Sequence, residues 1–172
     1  MYNLLCPHLI LNSPHDLENQ ELKKLGIKGI IFDLDNTIIP WDQEEMAPEM
    51  VECLRCFLNE GFKICLLSNN MGKRVKTIAA IFDIPAISRA QKPSKKGFRQ
   101  AVKAMGLSEK EVAVVGDQLF TDILGGNRLG LVTIWVRPLS AKEFIGTKIT
   151  RQLERLAIHI LKAKGLLDTR RL

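Results

Sequence analysis

Along this chain, five short runs rich in Val, Ile, Leu and Phe alternate with longer segments of helical period, and that alternation limits the fold more than any other feature. "GIIFDLD" (29–35) reads as a strand and "PEMVECLRCFLN" (48–59) as a helix. "FKICLLS" (62–68) is a second strand, followed by the helix "GKRVKTIAAIF" (72–82). The short strand "PAISRA" (85–90) leads into "SKKGFRQAVKAMG" (94–106), a helix with Ser94 as its N-cap and Gly106 as its stop. A strand "EVAVVGD", a helix and turn "FTDILGGNRLG" and a last strand "LVTIWVRP" complete the pattern. Strands and helices in strict alternation pair as a parallel sheet through crossover helices, so an α/β chain with a mainly parallel five-stranded sheet is expected. In such sheets ligands bind outside the carboxyl ends of the strands, where the strand order reverses.

With 172 residues the chain is the size of one domain, 1–172. Within it we expect an N-terminal helical extension over about 1–27, a core over about 28–137 and a C-terminal helix over about 149–164. The extension holds a short helix around "HDLENQELKKLG", with Gly26 near its stop. The C-terminal helix carries Ile149, Leu153, Leu156, Ile160 and Leu161 on one stripe, which is expected to dock on the sheet. Arg151, Arg155, Lys162 and Lys164 flank that stripe, so an anionic membrane surface is the alternative partner for it.

No apolar run approaches the roughly 20 residues of a membrane span, and the N-terminus lacks the basic and apolar regions of a signal peptide. A cytoplasmic location follows as the expectation, with a peripheral position at the inner face of the membrane as its variant. Cys6, Cys53, Cys56 and Cys65 lie within apolar patterns and are expected to be reduced. Cys53 and Cys56 form a C-x-x-C, but on a helix and without a second ligand pair at zinc spacing, which favours core packing. The net charge of +6 favours anionic partners: phosphorylated metabolites, lipid surfaces or nucleic acid. Nucleic acid is not expected, because aromatics are only 6% and no recognition motif is present.

The strand ends carry the chemistry. Asp33 and Asp35 close the first strand, a costly arrangement for carboxylates at the end of a buried run unless a cation balances them. A hard divalent cation, Mg²⁺ first among them, suits one or two carboxylates together with phosphate oxygens. The second strand ends in Ser68, Asn69 and Asn70, which read either as an ordinary helix cap or as a phosphate contact. Lys92 follows the third strand, as a solvated charge or as the partner of a phosphoryl group. The fourth ends in Gly116 and Asp117, with Asp122 five residues on. Asp122 supports a metal shell or Lys92, or else complements a helix dipole.

Taken in order, "DLDNT", "LLSNN", "QKP" and "GDQLFTD" resemble the four motifs of the haloacid dehalogenase superfamily of phosphatases, over roughly residues 28–137. The resemblance implies a Rossmann-like three-layer α/β/α sandwich and hydrolysis of a phosphate monoester through an aspartyl phosphate. It implies Asp33 as nucleophile and Asp35 as acid and base. It further implies Mg²⁺ held by Asp33, Asp117 and the main-chain carbonyl of Asp35, with Asp122 in support. Phosphoryl contacts fall to Ser68, Asn69 and Lys92, with Thr37 near the phosphate or supporting the first loop. Asn36 stands where many members of the superfamily have glycine. About 30 residues separate the first motif from the second and about 23 the second from the third, too few for a large cap domain against ordinary loop lengths, so an open site is expected.

"FDLDNTIIPWD", "VVGDQLFTDILGGNRLG" and "VRP" are most similar to the YqeG branch, related to mitochondrial phosphatases acting on phosphatidylglycerophosphate. This resemblance implies an anionic phospholipid substrate and phosphatidylglycerol as product. Lys73, Arg74, Lys95, Lys96 and Arg137 form either a lipid-attracting rim or a solvated one. The alternatives are a phosphatase for a soluble phosphometabolite or phosphoprotein, and a phosphate-binding protein without turnover.

Overall fold

The computed structural model describes residues 2–140 and 145–167, with side chains omitted at residues 2 and 145–151. Its strands are β1 (Leu9–Leu11), β2 (Gly29–Phe32), β3 (Lys63–Leu67), β4 (Ala86–Ile87), β5 (Val112–Gly116) and β6 (Val132–Val136). Its α-helices are α1 (Asn19–Lys24), α2 (Pro48–Asn59), α3 (Lys73–Ile81), α4 (Lys95–Met105), α5 (Leu124–Leu129) and α6 (Ile145–Ala163). Among the described residues the strands form one six-stranded sheet in the order β1-β6-β5-β2-β3-β4, parallel throughout.

β2 lies at the centre, in register with β3 (Ile31 opposite Cys65) and with β5 (Ile31 opposite Val114). Alternate residues of these strands serve two separate cores, as the period of two demands. Ile30, Phe32, Ile64, Leu66, Ala113 and Val115 pack with Met50, Leu54 and Phe57 of α2 and Val75 and Ile78 of α3. Ile31, Cys65, Leu67, Val112 and Val114 pack with Phe98, Ala101, Val102 and Met105 of α4. Both faces of the sheet are therefore covered, which is why the central strands read as unbroken apolar runs. The three-layer α/β/α architecture follows, and no inserted cap domain interrupts it among the described residues.

α4 starts and stops where its capping residues dictate. The Ser94 hydroxyl accepts from the Lys96 N–H, and Gly106 takes the left-handed conformation (φ 63°) at the end.

Two expectations about the flanks need correction. The N-terminal segment is more than a helical extension: Leu9–Leu11 add a sixth strand, paired with Ile134–Val136 of β6. The His8 N–H donates to the Thr133 carbonyl (2.8 Å) and starts that pairing. Three residues are too few to display a period, so only the partner strand reveals the element.

The apolar stripe of α6 does not dock on the sheet as a unit. Leu161 is buried, but Leu153 and Leu156 are 56% and 59% exposed and Ile160 is half-buried. The side chains of Ile149 and Arg151 lie outside the described ones. The buried face runs instead through Glu154, Ile158 and Leu161, against Ile10 and Trp135. Glu154 faces inward with them: its carboxylate accepts the part-buried Phe120 N–H (3.2 Å).

Candidate active site

The order of the sheet reverses between β2 and β5, and the carboxyl ends of these two strands bring four aspartates to one place. Asp33 still belongs to the ladder, its N–H donating to the Val115 carbonyl (2.9 Å). The chain then turns sharply, with the N–H groups of Ile38 and Ile39 both donating to the Leu34 carbonyl. Asn36 sits inside this turn at φ 61°, in the left-handed region that asparagine tolerates better than most residues. Its side-chain oxygen accepts the Trp41 N–H (3.0 Å), so the asparagine supplies both the backbone angle that glycine gives and an added bond. The turn sends Asp33 and Asp35 into different surroundings.

Asp33 faces Lys92. The Lys92 ammonium donates to Asp33 Oδ1 (2.5 Å) and to Asp122 Oδ1 (2.7 Å), with all three side chains buried. Asp33, Asp117 and Asp122 each offer a carboxylate oxygen, and these oxygens lie within 4.8 Å of one another. The Thr37 hydroxyl donates to Asp117 Oδ1 (3.3 Å), and the Trp135 indole N–H holds the Asp117 carbonyl (2.8 Å). Gly116 makes the cluster compact, since a Cβ there would overlap the Asp122 carboxyl group. The π-helical turn Leu119–Ile123 delivers Asp122 back to the strand end, and its Oδ2 accepts the Gln118 N–H (3.2 Å).

The charges in this cluster do not balance by themselves. Three buried carboxylates face one ammonium, which leaves two negative charges among buried groups when all three are ionised. Burial pushes the Asp33 carboxyl well above the usual carboxylate range; Lys92 opposes this, and Asp122 and Asp117 add to it. Burial would lower the Lys92 pKa, but Asp122 and Asp33 outweigh it and raise the value. A divalent cation fits both the donor set, which is all oxygen, and the missing charge.

Asp35 forms a second group. Its Oδ1 accepts from Arg74 (2.5 Å), and its Oδ2 accepts from the Asn70 amide (2.8 Å) and the Ser68 hydroxyl (3.3 Å). The Arg74 guanidinium also donates to the carbonyls of Pro40 (2.7 Å) and Trp41 (3.2 Å), tying the first loop to the start of α3. Asp35 thus sits at the mouth as a carboxylate held by three donors, apart from the metal-type cluster.

The structure brings together all eight residues singled out in the sequence, but it gives several of them different neighbours. Asn69 spends both ends of its amide on the Lys92 backbone, accepting from the N–H (2.7 Å) and donating to the carbonyl (3.2 Å). Its side chain ties the second loop to the third; it does not stand as a free phosphate donor. Thr37 supports Asp117, and Asp122 stands within the carboxylate cluster itself. The Asp35 side chain is outside that cluster.

Asn70, read as a helix cap or a phosphate contact, donates to Asp35 instead; Arg74 and Glu154 were not legible as site residues. Arg74 had one signal: it falls in the first turn of the helix that follows a strand end, where a long side chain reaches back over the sheet.

A model of the family described as mitochondrial PGP phosphatase matches residues 2–139. The chain belongs to this family. It is a phosphatase related to the phosphatidylglycerophosphate phosphatases. Among family relatives, it is 42% identical over 146 residues to a probable phosphatase YqeG of Bacillus subtilis, covering 85% of each chain. It is 31% identical over 165 residues to the chloroplastic phosphatidylglycerophosphate phosphatase 1 of Chlamydomonas reinhardtii, covering 88% of this chain and 60% of that one.

The fold is shared with solved structures. One is a cobalt-bound deoxy-D-mannose-octulosonate 8-phosphate phosphatase of Haemophilus influenzae, with TM-score 0.55 and 15% identity over 83% of this chain and 92% of that one. Another is a haloacid dehalogenase phosphatase of Thermococcus onnurineus, with TM-score 0.51 and 20% identity over 59% of this chain and 51% of that one.

Proposed function

We propose that this phosphatase is a Mg²⁺-dependent phosphomonoesterase that works through an aspartyl phosphate on Asp33, with phosphatidylglycerophosphate as its substrate. One observation carries the mechanism: Asp33 is held between Lys92 and the Asp117 and Asp122 carboxylates, while Asp35, two residues on, is held by a separate set of donors.

In this reading the free Asp33 oxygen attacks phosphorus and the bond from phosphorus to the leaving oxygen breaks. Asp35 gives that oxygen its proton, then takes one from the water that cleaves the aspartyl phosphate and releases inorganic phosphate. Lys92 and Ser68 hold the phosphoryl oxygens, where charge stabilisation supplies much of the rate in phosphoryl transfer. Asp33, Asp117 and Asp122, with the main-chain carbonyl of Asp35, would hold Mg²⁺, which would supply neutralisation of the phosphoryl charge. Asn69 keeps Lys92 in place, and Thr37 does the same for Asp117.

The lipid is supported by relatives named for that substrate, the Chlamydomonas enzyme among them, and by a core that no cap domain interrupts among the described residues. The chain spans three-fifths of the length of the Chlamydomonas relative. A soluble ester is the second reading. It is favoured by 30% identity over 117 residues to a glyceraldehyde 3-phosphate phosphatase of Pyrococcus furiosus, of which the chain covers 38%.

The deciding experiment is phosphate release from phosphatidylglycerophosphate in mixed micelles with Mg²⁺, beside p-nitrophenyl phosphate and a panel of soluble esters. Preference for the lipid, lost in Asp33→Asn, is the expected result. Turnover of soluble esters alone removes the lipid, and no turnover at all leaves a phosphate-binding protein.

A further inference from the structure

We infer that the exposed side of α6 is a docking surface for an anionic lipid bilayer. The inference deepens the lipid reading and takes its purpose from it, but its test stands apart.

A helix that closes a protein core turns its apolar stripe inward, and α6 does the reverse. Its inward face holds Glu154, Ile158 and Leu161, while Leu153 and Leu156 stand more than half exposed, with half-buried Ile160 one turn further along the same stripe. These positions follow the i, i+3, i+7 spacing of one helix face, turned about 130° from the buried one at 3.6 residues per turn.

Among the described side chains of α6 and the turn after it, the exposed charges have one sign. Between residues 152 and 167 the exposed ionised side chains are Arg155, Lys162 and Lys164, and the single carboxylate, Glu154, is 1% exposed. Leu166, just past the helix, is 40% exposed. An apolar stripe beside a purely cationic face is the composition of a helix that lies in the plane of a membrane interface. Basic residues near an anionic surface strengthen such binding by about fivefold each. No described helix is long and apolar enough to cross a membrane, so contact of this kind is lateral.

Docking through α6 also reaches the site. Glu154 holds the Phe120 N–H (3.2 Å), and Phe120 belongs to the turn Leu119–Ile123 that carries Asp122. A bilayer held by the outer side of α6 is therefore one helix away from the turn that carries Asp122.

The test is cosedimentation of the full chain with phosphatidylcholine vesicles, with and without phosphatidylglycerol. It compares wild type with Leu153→Ser/Leu156→Ser and with Arg155→Glu/Lys162→Glu. These side chains are exposed and outside the catalytic cluster, so melting temperature and turnover of p-nitrophenyl phosphate should stay at wild-type values.

The expected result is binding to the phosphatidylglycerol vesicles, weakened by salt and by at least about tenfold in each variant. A wild-type chain that ignores anionic vesicles, or variants that bind as wild type does, would overturn the inference. So would light scattering that shows a dimer broken by the Leu variant while vesicle binding persists, since the stripe would then belong to a second copy. Vesicle binding that depends on these residues without hydrolysis of phosphatidylglycerophosphate keeps the docking surface and removes the substrate. Micellar hydrolysis without vesicle binding does the opposite.

Discussion

Lys92 brings one positive charge to three buried carboxylates, and its removal has effects on both stability and rate. Lys92→Met should leave Asp33 and Asp122 unpaired and cost about 3–5 kcal/mol of stability, as broken buried ion pairs do. Urea unfolding measures this, and the phosphatase rate should fall by several orders of magnitude in the same variant. Arg74 acts at one remove, through Asp35 and the carbonyls of residues 40 and 41. Arg74→Ala should lower kcat by roughly 10- to 100-fold with little change in KM, in the range of a group that positions a general acid or base. Added guanidinium should restore part of the loss, and a variant with unchanged kcat would show that Asp35 needs no such clamp. The carboxylates and Lys92 could be read from the sequence because each sits at a strand end, where neighbours in sequence dictate the place. Arg74 and the true partner of Asn69 could not, since their bonds span 39 and 23 residues and exist only once the sheet has brought the loops together.

Elements are joined to the site by a few contacts, and α6 shows how. Glu154 is the polar member of its buried face and caps the Phe120 N–H. Glu154→Ala should leave that amide unsatisfied and cost about 1–3 kcal/mol. Hydrogen exchange should show the turn Leu119–Ile123 losing protection; unchanged exchange there would mean that the turn holds without the helix. Gly116→Ala tests the other side of Asp122, because the added methyl would overlap its carboxyl group. A loss of about 1–3 kcal/mol, typical of overpacking, is expected together with weaker metal binding, both measurable by thermal unfolding with and without Mg²⁺. The central strands and α2, α3 and α4 were legible because unbroken apolar runs and capping residues mark them locally. β1 is too short for that, and the inward face of α6 includes a buried carboxylate that a stripe of leucines conceals.

At the scale of the molecule, the parallel sheet fixes where the chemistry collects, and the excess negative charge there makes folding sensitive to metal and pH. In metal-free protein the raised Asp33 pKa means that the folded state keeps a proton which the unfolded chain releases near pH 3.8. Between that pH and the raised native value the folded state binds more protons, so stability falls as pH rises through this window. A bound divalent cation takes the place of the proton and should flatten the slope. It should also add about 2.7 kcal/mol at one hundred times its dissociation constant. Denaturation curves in chelator and in Mg²⁺ across this range provide the measurement, and parallel pH profiles would show that the three carboxylates do not share a cation.

The same sheet ends in two very short outer strands, β1 with three residues and β4 with two. An open sheet invites other chains to extend it wherever a long row of unpaired amides and carbonyls is left at its rim. Here the longer, strongly apolar strands are all interior, so the rim offers a passing strand almost no length on which to form a ladder. Brevity at the edges thus serves as a guard against aggregation, and lengthening β4 into a regular strand would be the simplest way to make this phosphatase sticky.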